Sequence, residues 1–253
     1  MKQPTSIVIT GASSGIGEAL ALEYAAPGVI LTLTGRDKAR LTRVAEHCAH
    51  KGATAHPVRV DVTDPAAMAE LIATANAKRP LDLVIANAGI SGGSGGDGEN
   101  QAQARAIFEV NLTGVFNTIW PAIEAMKPHG CGQIAIISSI AGITPMPGAP
   151  AYSAAKVAVK AYGEALHGML KNDGITVTTV CPGFVKSRIT DKNDFPMPLF
   201  MDAPKAARII RQGLARGGVS VIFPKRLAAV AWLIGLLPPS LRVWLLTRVP
   251  KKA

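Results

Sequence analysis

The order of apolar runs along the chain limits its fold more than any other feature of the sequence. Short apolar runs that end at turn residues predict strands at residues 7–10, 29–34, 55–60, 81–86, 133–137, 175–180 and 219–223. Stretches with helical spacing lie between most of them, at residues 15–26, 37–51, 65–78, 101–126, 151–171 and 203–215. This alternation predicts an α/β chain with a doubly wound parallel sheet of about seven strands and helices on both faces.

Length and composition fit one domain, although the length alone would also allow two small ones. The chain has 253 residues; 48% are hydrophobic and only 5% aromatic, which suits parallel strands buried on both faces. The sequence contains no internal repeat or linker that would divide it. We interpret the Ser- and Gly-rich stretch 91–98 as a flexible loop after the fourth strand.

The cysteines and the start of the chain predict a cytoplasmic location. Cys48, Cys131 and Cys181 are far apart and match no metal-ligand spacing, so we expect reduced core thiols and no metal site. Residues 1–6 are too short and too polar for a signal peptide, and no apolar run reaches 18 residues.

A glycine-rich turn joins the first predicted strand to the first helix. Its sequence, Thr10-Gly-Ala-Ser-Ser-Gly-Ile-Gly17, allows a tight turn and a close approach of the backbone to a pyrophosphate, which would face free N–H groups of the helix. The expected contacts are Gly11, Ser13, Ser14, Gly15, Ile16 and Gly17.

The spacing Thr-Gly-x-x-x-Gly-x-Gly resembles that of the short-chain dehydrogenase/reductase family, and the resemblance extends to about residue 187. It implies a Rossmann-like fold, a nicotinamide cofactor and an oxidoreductase that interconverts a carbonyl and a secondary alcohol. It also implies a homo-oligomer, a dimer or tetramer, formed through helices that include residues 101–126 and 151–171.

The end of the second strand favours NADP(H) over NAD(H). An NAD site places a carboxylate there to bind the ribose 2′-hydroxyl, but the corresponding position is Gly35. Arg36 follows, and its guanidinium suits a 2′-phosphate, to which Ser13 would add a hydroxyl. Asp37 is interpreted as the cap of the second helix.

Two further strand ends are expected to meet the cofactor. Asp61 and Val62 close the third strand, where the family contacts adenine. Asn87-Ala88-Gly89 closes the fourth and resembles the family's Asn-Asn-Ala-Gly motif, with Ala86 in place of the first Asn. For Asn87, a structural role in the sheet and a cofactor contact both remain open.

Tyr152 and Lys156 are the expected centre of the chemistry. They are four residues apart and therefore share one helix face. A lysine ammonium one turn away is expected to lower the pKa of the tyrosine, which could then exchange a proton with a carbonyl or hydroxyl oxygen. In the family this lysine also binds the nicotinamide ribose.

Two more residues match the family's catalytic group. Ser139, at the end of the fifth strand, matches the serine that holds the substrate oxygen, whereas alternation along the strand would point Ser138 the other way. Asn111 matches the asparagine that bends its helix and holds a water near the lysine, as part of a proton relay. The segment after the sixth strand resembles Pro-Gly-x-Val-x-Thr, which meets the nicotinamide; its residues are Pro182, Gly183, Val185 and Ser187, the last in place of Thr.

The end of the chain resembles the short-chain dehydrogenase/reductase family least. Residues 186–203 are expected to form a substrate lid, and Met and Phe there suggest an apolar substrate, with simple packing equally open. Residues 186–253 hold 13 Lys and Arg against 3 Asp and Glu. The apolar stretches 227–237 and 241–249 within the extension 224–253 suit peripheral contact with the inner face of an anionic membrane, a subunit interface or a cover over the substrate pocket. The tail contains no recognisable nucleic-acid-binding motif, so no nucleic-acid partner is expected.

The most economical hypothesis is an NADP(H)-dependent carbonyl reductase or alcohol dehydrogenase of unknown substrate, with Tyr152 as general acid and base. An epimerase or dehydratase on the same fold is one alternative, but such relatives usually carry longer substrate domains. A cofactor-binding membrane-associated or scaffold protein is another, but its usual mark is the loss of the tyrosine or the lysine.

Overall fold

The computed structural model describes residues 3–92, 99–192 and 196–248. Within these ranges the predicted alternation of strands and helices is confirmed. Residues 93–98 of the predicted loop, 193–195 of the predicted lid and 249–253 of the tail lie outside the described residues.

Seven strands form one parallel sheet in the order β3-β2-β1-β4-β5-β6-β7. The strands are β1 Ser6–Thr10, β2 Ile30–Gly35, β3 Thr54–Arg59, β4 Leu83–Ala86, β5 Gly132–Ile137, β6 Ile175–Pro182 and β7 Ser220–Phe223. The order reverses between β1 and β4, and the crevice beyond the carboxyl ends of these two strands is where ligands bind in doubly wound sheets.

Helices cover both faces of the sheet and form two apolar cores. The helices are α1 Gly15–Tyr24, α2 Lys38–His50, α3 Pro65–Lys78, α4 Gln101–Phe108, α5 Gly114–Met126, α6 Pro150–Met169, α7 Ala203–Ala215, α8 Lys225–Gly235 and α9 Pro239–Leu246. Helices α1, α2 and α7 bury Leu20, Leu41 and Ile210 in one core. Helices α3, α5 and α6 fill the other, and the predicted single α/β domain with helices on both faces is confirmed.

The predicted single helix over residues 101–126 is wrong in one respect. A π-helical turn, Glu109–Thr113, separates α4 from α5. Asn111 lies in this turn, and its side-chain amide bonds both the N–H and the carbonyl of Ile90, each at 2.8 Å. The apolar spacing did not predict this interruption, although the family resemblance implies that Asn111 bends its helix.

Smaller features of the structure confirm one further expectation and contradict another. Asp37 caps α2 as predicted, since its carboxylate accepts a hydrogen bond from the N–H of Arg40 at 3.0 Å. All three cysteines are free, but Cys131 is exposed, so its assignment to the core is wrong. In the described part of the chain, no helix combines the length and apolar character that crossing a bilayer would require.

Candidate active site

The glycine-rich turn leaves β1 at the point where the strand order reverses. Gly11 and Gly15 adopt φ values of +65° and +59°, which favour glycine. A Cβ on Gly11 would also lie 2.8 Å from the Cα of Ala88, and one on Gly15 would lie 2.8 Å from the Cβ of Ser187. The glycines therefore let this turn pack against two other strand ends.

Asn87 fastens the end of β4 to the turn. Its side-chain Nδ2 donates to the carbonyls of Thr10 and Gly11 at 3.0 and 3.2 Å. The Thr10 hydroxyl in turn accepts from the backbone N–H groups of Asn87 and Ala88. Both hydrogens of the Asn87 amide are thus used to hold the sheet and turn together, which favours the structural role for this residue.

The end of β2 has the features of a site for an extra phosphate. Gly35 lies beside Ser13, since a Cβ on this glycine would be 3.4 Å from the serine hydroxyl oxygen. Arg36 is exposed next to it. Asp37 is held by its capping bond and by an ion pair with Arg40 at 2.9 Å, and the backbone N–H of Arg40 is the main cause that lowers the pKa of its carboxyl.

The segment after β6 reaches back to the same turn. Ser187 lies against Gly15, and its N–H donates to the Thr190 hydroxyl at 2.8 Å. Val185 is buried and forms a bridge with Met201, which closes the segment between them into a loop. The N–H of Gly183, which follows Pro182, donates to the Phe223 carbonyl at 2.8 Å and fixes the beginning of this segment to β7.

Asp61 and Val62, which follow β3, form hydrogen bonds within the protein. The Asp61 carboxylate accepts from the N–H and hydroxyl of Thr63 at 3.1 and 2.9 Å, which forms a local turn. Val62 is buried against Gly114, and its carbonyl accepts from Asn117. The adenine contacts expected of Asp61 and Val62 therefore stay predictions.

A cleft of about 380 Å³ borders the glycine-rich turn. Its lining includes Ser14 and Gly15 at the start of α1, together with four basic and two acidic side chains. Helix N–H groups and an excess of cations suit the phosphates of a dinucleotide. The charged side chains of the lining are those of Glu18, Arg40, Arg43, Lys186, Arg188 and Asp191.

Tyr152 and Ser139 meet at the carboxyl end of β5. The serine ends this strand, whereas the tyrosine lies in the first turn of α6 and packs against Ile107 and Ala155. Burial raises the pKa of Tyr152, and a hydrogen bond with the Ser139 hydroxyl acts against this increase. Ser139 and Tyr152 are therefore neighbours at this edge of the sheet.

Lys156 lies one turn further along α6, in a buried site. Its Nζ donates to the carbonyl of Ile137 at 2.8 Å and lies 5.7 Å from the centre of the Tyr152 ring. A Cβ on Gly89 would be 3.6 Å from this Nζ and 3.2 Å from the Asn111 side-chain oxygen. Because Gly89 has no side chain, the side chains of Lys156 and Asn111 can approach each other here.

The expectation that Lys156 lowers the pKa of Tyr152 is wrong. Burial dominates and raises the tyrosine pKa, and burial also lowers the pKa of Lys156 from 10.5 to about 8. Both groups are thereby shifted towards their neutral forms.

Two residues that support the catalytic helix were not identified from the sequence. Glu99 accepts hydrogen bonds from the N–H groups of Ala151 and Tyr152, at 2.5 and 3.3 Å, and so caps α6 beside the tyrosine. The Ser138 hydroxyl donates to the Lys156 carbonyl at 2.8 Å, in keeping with the opposite direction that alternation predicts for it. A lone acid in a loop gives no specific signal, because its partner helix lies about 50 residues away along the chain.

The buried Lys156 is expected to reduce stability at neutral pH. Its folded pKa of about 8 lies below the unfolded value of 10.5, so the penalty is complete below pH 8 and disappears as the pH rises past 10.5. We expect Lys156→Met to raise the free energy of unfolding by on the order of 2 kcal/mol at pH 7, with part of the gain offset by the lost bond to Ile137.

Urea denaturation at pH 7 and at pH 9.5 measures this effect, and the gain should shrink at the higher pH. Lys160→Met is the matched control, because that lysine lies on the same helix but forms an ion pair with Glu164 at 2.8 Å. A gain from Lys156→Met that is equal at both pH values, or a loss at pH 7, would contradict the burial argument.

Comparison with known proteins agrees with this geometry. Residues 5–196 match the family model described as short chain dehydrogenase. An uncharacterized oxidoreductase of Myxococcus xanthus is 36% identical over 235 residues, which cover 92% of this chain and 93% of the relative.

Two solved structures show the same architecture. A short-chain dehydrogenase from Sphingobium yanoikuyae in complex with NADPH has a TM-score of 0.80 at 26% identity and covers 96% of both chains. A short chain dehydrogenase from Mycobacterium paratuberculosis bound to NAD has a TM-score of 0.78 at 21% identity, with 90% of this chain and 100% of that chain covered, and this likeness concerns the fold alone.

The family match spans most of the chain, and it ends close to the point where the sequence resemblance ends. The Myxococcus relative covers nearly the whole of this chain. The chain therefore belongs to the short-chain dehydrogenase family and is an NAD(P)-dependent oxidoreductase.

Proposed function

We propose that this protein is an NADP(H)-dependent carbonyl reductase that converts an apolar ketone to a secondary alcohol. The observation that carries the proposal is the convergence of three side chains: Tyr152 and the buried Lys156 lie one turn apart on α6, with the lysine Nζ 5.7 Å from the ring centre, and Ser139 lies at the end of β5 beside them. Reversible reduction of a carbonyl needs a proton donor beside the oxygen and a polar group that orients it, and the hydroxyls of Tyr152 and Ser139 provide both.

The cofactor preference rests on the end of β2. Gly35 offers no carboxylate to the ribose, while the exposed Arg36 and the Ser13 hydroxyl present a guanidinium and a hydrogen-bond donor to a 2′-phosphate. NADPH in the related Sphingobium structure agrees with this choice. The glycine-rich turn and Ser187 would hold the pyrophosphate, and the segment from Pro182 to Val185 would hold the nicotinamide.

The reaction needs a hydride at the carbonyl carbon and a proton at its oxygen. The bound dihydronicotinamide supplies the hydride. Ser139 donates a hydrogen bond that orients the substrate oxygen, and Tyr152 transfers its phenolic proton to that oxygen as negative charge develops there. Lys156, whose Nζ lies 5.7 Å from the centre of the Tyr152 ring, would bind the nicotinamide ribose, and Asn111 would belong to the relay that returns the proton to Tyr152.

The raised pKa of Tyr152 keeps its hydroxyl protonated at neutral pH, which is the state that donates to a carbonyl oxygen. Burial raises this pKa, so the phenol is protonated and ready to donate. Oxidation of an alcohol needs the phenolate and is expected to become faster as the pH rises towards the raised pKa. The net direction in the cell is set by the ratio of reduced to oxidised cofactor and by the substrate.

An apolar substrate agrees with the side chains around the mouth of the site. A Cβ on Gly183 would lie 3.2 Å from Ile140 and 3.1 Å from Leu227, so two apolar side chains converge there. In the proposed lid, residues 186–203, the side chains of Leu199 and Phe200 are about half exposed. These side chains are available to cover an apolar ligand.

We also propose a homo-oligomer formed through α4, α5 and α6. These helices expose Phe108, Trp120 and Val157, which an interface would remove from water. Sedimentation velocity of the purified protein measures the assembly directly, and a monomer at micromolar concentration would contradict it.

Turnover with a graded series of ketones tests the proposed function. We expect the purified protein to consume NADPH with straight-chain alkyl ketones and to form one secondary alcohol for each NADPH used. The specificity constant kcat/KM should rise about threefold to fourfold with each added methylene, because each buried CH2 contributes ~0.8 kcal/mol. No NADPH consumption with any ketone would reject the reductase, and rates independent of chain length would reject the apolar substrate class.

A further inference from the structure

Helices α8 and α9 expose an unusual amount of apolar surface. In each helix only one residue is buried, Ala231 in α8 and Leu246 in α9. The tail surface is the set of exposed apolar side chains on these two helices and at the C-cap of α8: Val230, Trp232, Leu233, Leu236, Leu241, Val243, Trp244 and Leu245. Exposed apolar side chains concentrated on two consecutive helices in this way mark a contact site.

The two helices are fastened to the domain and to each other. The Thr144 hydroxyl donates to the carbonyl of Ala231, close to the active-site segment that follows Ser139. Arg242 donates to the carbonyl of Gly235 at 3.2 Å and joins α9 to α8. The tail surface is therefore held in place and faces outwards.

The charge of this part of the chain favours an anionic partner. Residues 203–253 contain ten Lys and Arg and no Asp or Glu, whereas residues 1–202 contain 17 of each kind and have no net charge. On α8, Lys225 and Trp232 are seven residues apart and share one helix face. The cations thus lie beside the apolar side chains.

A second copy of this chain is a poor match for the tail surface. A symmetric contact between two copies would bring like charges together without an acidic residue in either tail to compensate. An anionic lipid surface provides both apolar and negatively charged groups, and tryptophan is suited to the boundary between them. Arg248 stacks on the Trp244 ring at 3.6 Å, which places a cation and an aromatic side chain at one point of this surface.

We propose that α8 and α9 dock this protein onto the surface of an anionic lipid bilayer. Their 11 and 8 residues correspond to about 16 and 12 Å of helix, about half or less of the ~30 Å hydrocarbon core, so they lie in the interface. Apolar side chains enter the boundary between headgroups and acyl chains, and the lysines and arginines contact lipid phosphates. The proposal does not depend on the oxidoreductase activity.

Co-sedimentation of the full chain with vesicles tests the docking. We expect binding to vesicles of phosphatidylcholine with about one-third phosphatidylglycerol and little binding to pure phosphatidylcholine. Binding to the anionic vesicles should be lost as salt rises from about 0.1 to 1 M, because the Debye length falls from about 10 to 3 Å. No binding to the anionic vesicles, or equal binding to both kinds, would overturn the proposal.

Matched variants separate the apolar and charged contributions. Trp232→Ser should weaken binding about tenfold, whereas Met169→Ser should not, although the two side chains are similarly exposed at 59% and 58%. The pair Lys225→Gln and Arg226→Gln should weaken binding about 25-fold, at about fivefold for each cation. The pair Lys78→Gln and Lys171→Gln removes two exposed charges elsewhere and should have no effect.

Sedimentation velocity without lipid, together with KM, tests whether the tail surface instead binds a second copy of the chain or covers the substrate pocket. A smaller assembly for Trp232→Ser, with vesicle binding unchanged, would assign the surface to a second copy and overturn the proposal. A changed KM with unchanged vesicle binding would assign it to the substrate pocket and also overturn it. If Trp232→Ser fails to fold, the exposed Lys225 and Arg226 variants still decide the test.

Discussion

Replacing Tyr152 with Phe is expected to lower kcat at least about a hundredfold, the lower range of the contribution of a general acid or base. The change removes one hydroxyl and leaves the ring packed against Ile107 and Ala155. NADPH binding should therefore stay within a small factor of the native value. Steady-state turnover with a ketone and fluorescence titration with NADPH measure the two quantities separately.

Tyr162→Phe is the matched control for this experiment. Tyr162 lies on the same helix and its ring contacts Phe116 at 4.8 Å between centroids, so loss of its hydroxyl tests only a structural effect. We expect native turnover for this variant. Full activity of Tyr152→Phe would remove Tyr152 from the acid and base role and leave Ser139 as the only hydroxyl of the pair.

Replacing Arg36 with Ala is expected to weaken NADPH binding by about 10- to 100-fold, because a hydrogen bond to a charged group contributes about 1.5–3 kcal/mol. NADH has no 2′-phosphate, so its affinity should change little. The exposed position of Arg36 beside Gly35 makes a general effect on folding small. Equilibrium titration with both cofactors measures the difference.

Arg105→Ala on α4 removes an exposed guanidinium far along the chain from the end of β2 and should leave both affinities unchanged. Equal losses for NADPH and NADH in Arg36→Ala would show that Arg36 does not recognise the phosphate. In that case the cations of the neighbouring cleft, Arg40 and Arg188, would be the next residues to replace.

The fold and much of the site could be predicted because their signals are local. Alternation of apolar runs determines the strand and helix order, and the glycine spacing determines a turn whose conformation few other residues adopt. Tyr152 and Lys156 are on one helix, so their spacing alone places them on one face. The Asp37 cap likewise depends on a residue and the helix that directly follows it.

The parts that could not be predicted depend on contacts between distant segments. The resemblance implied a bend at Asn111, but not the π-helical turn that the backbone of Ile90 stabilises there. Glu99 caps a helix that starts about 50 residues later. The pKa values of Tyr152 and Lys156 depend on burial, which their spacing does not reveal, and this is why the expected lowering of the tyrosine pKa was wrong. Cys131 was assigned to the core by residue type, although it lies in the exposed approach to β5.

In the tail, the helical segments could be predicted from the sequence, but the exposure of their side chains could not. The sequence predicted two apolar segments separated by prolines, and α8 and α9 agree with this. Which side chains face outwards became clear only from the structure, where Trp232 and Trp244 are more than half exposed. The partner that covers them is the subject of the vesicle experiment.

Equilibrium titration of the native protein with NADPH and with NADH tests the central claim most directly. The end of β2, with Gly35, Arg36 and Ser13, predicts that NADPH binds about 10- to 100-fold more tightly than NADH. Equal or tighter binding of NADH would contradict the assignment of the 2′-phosphate site.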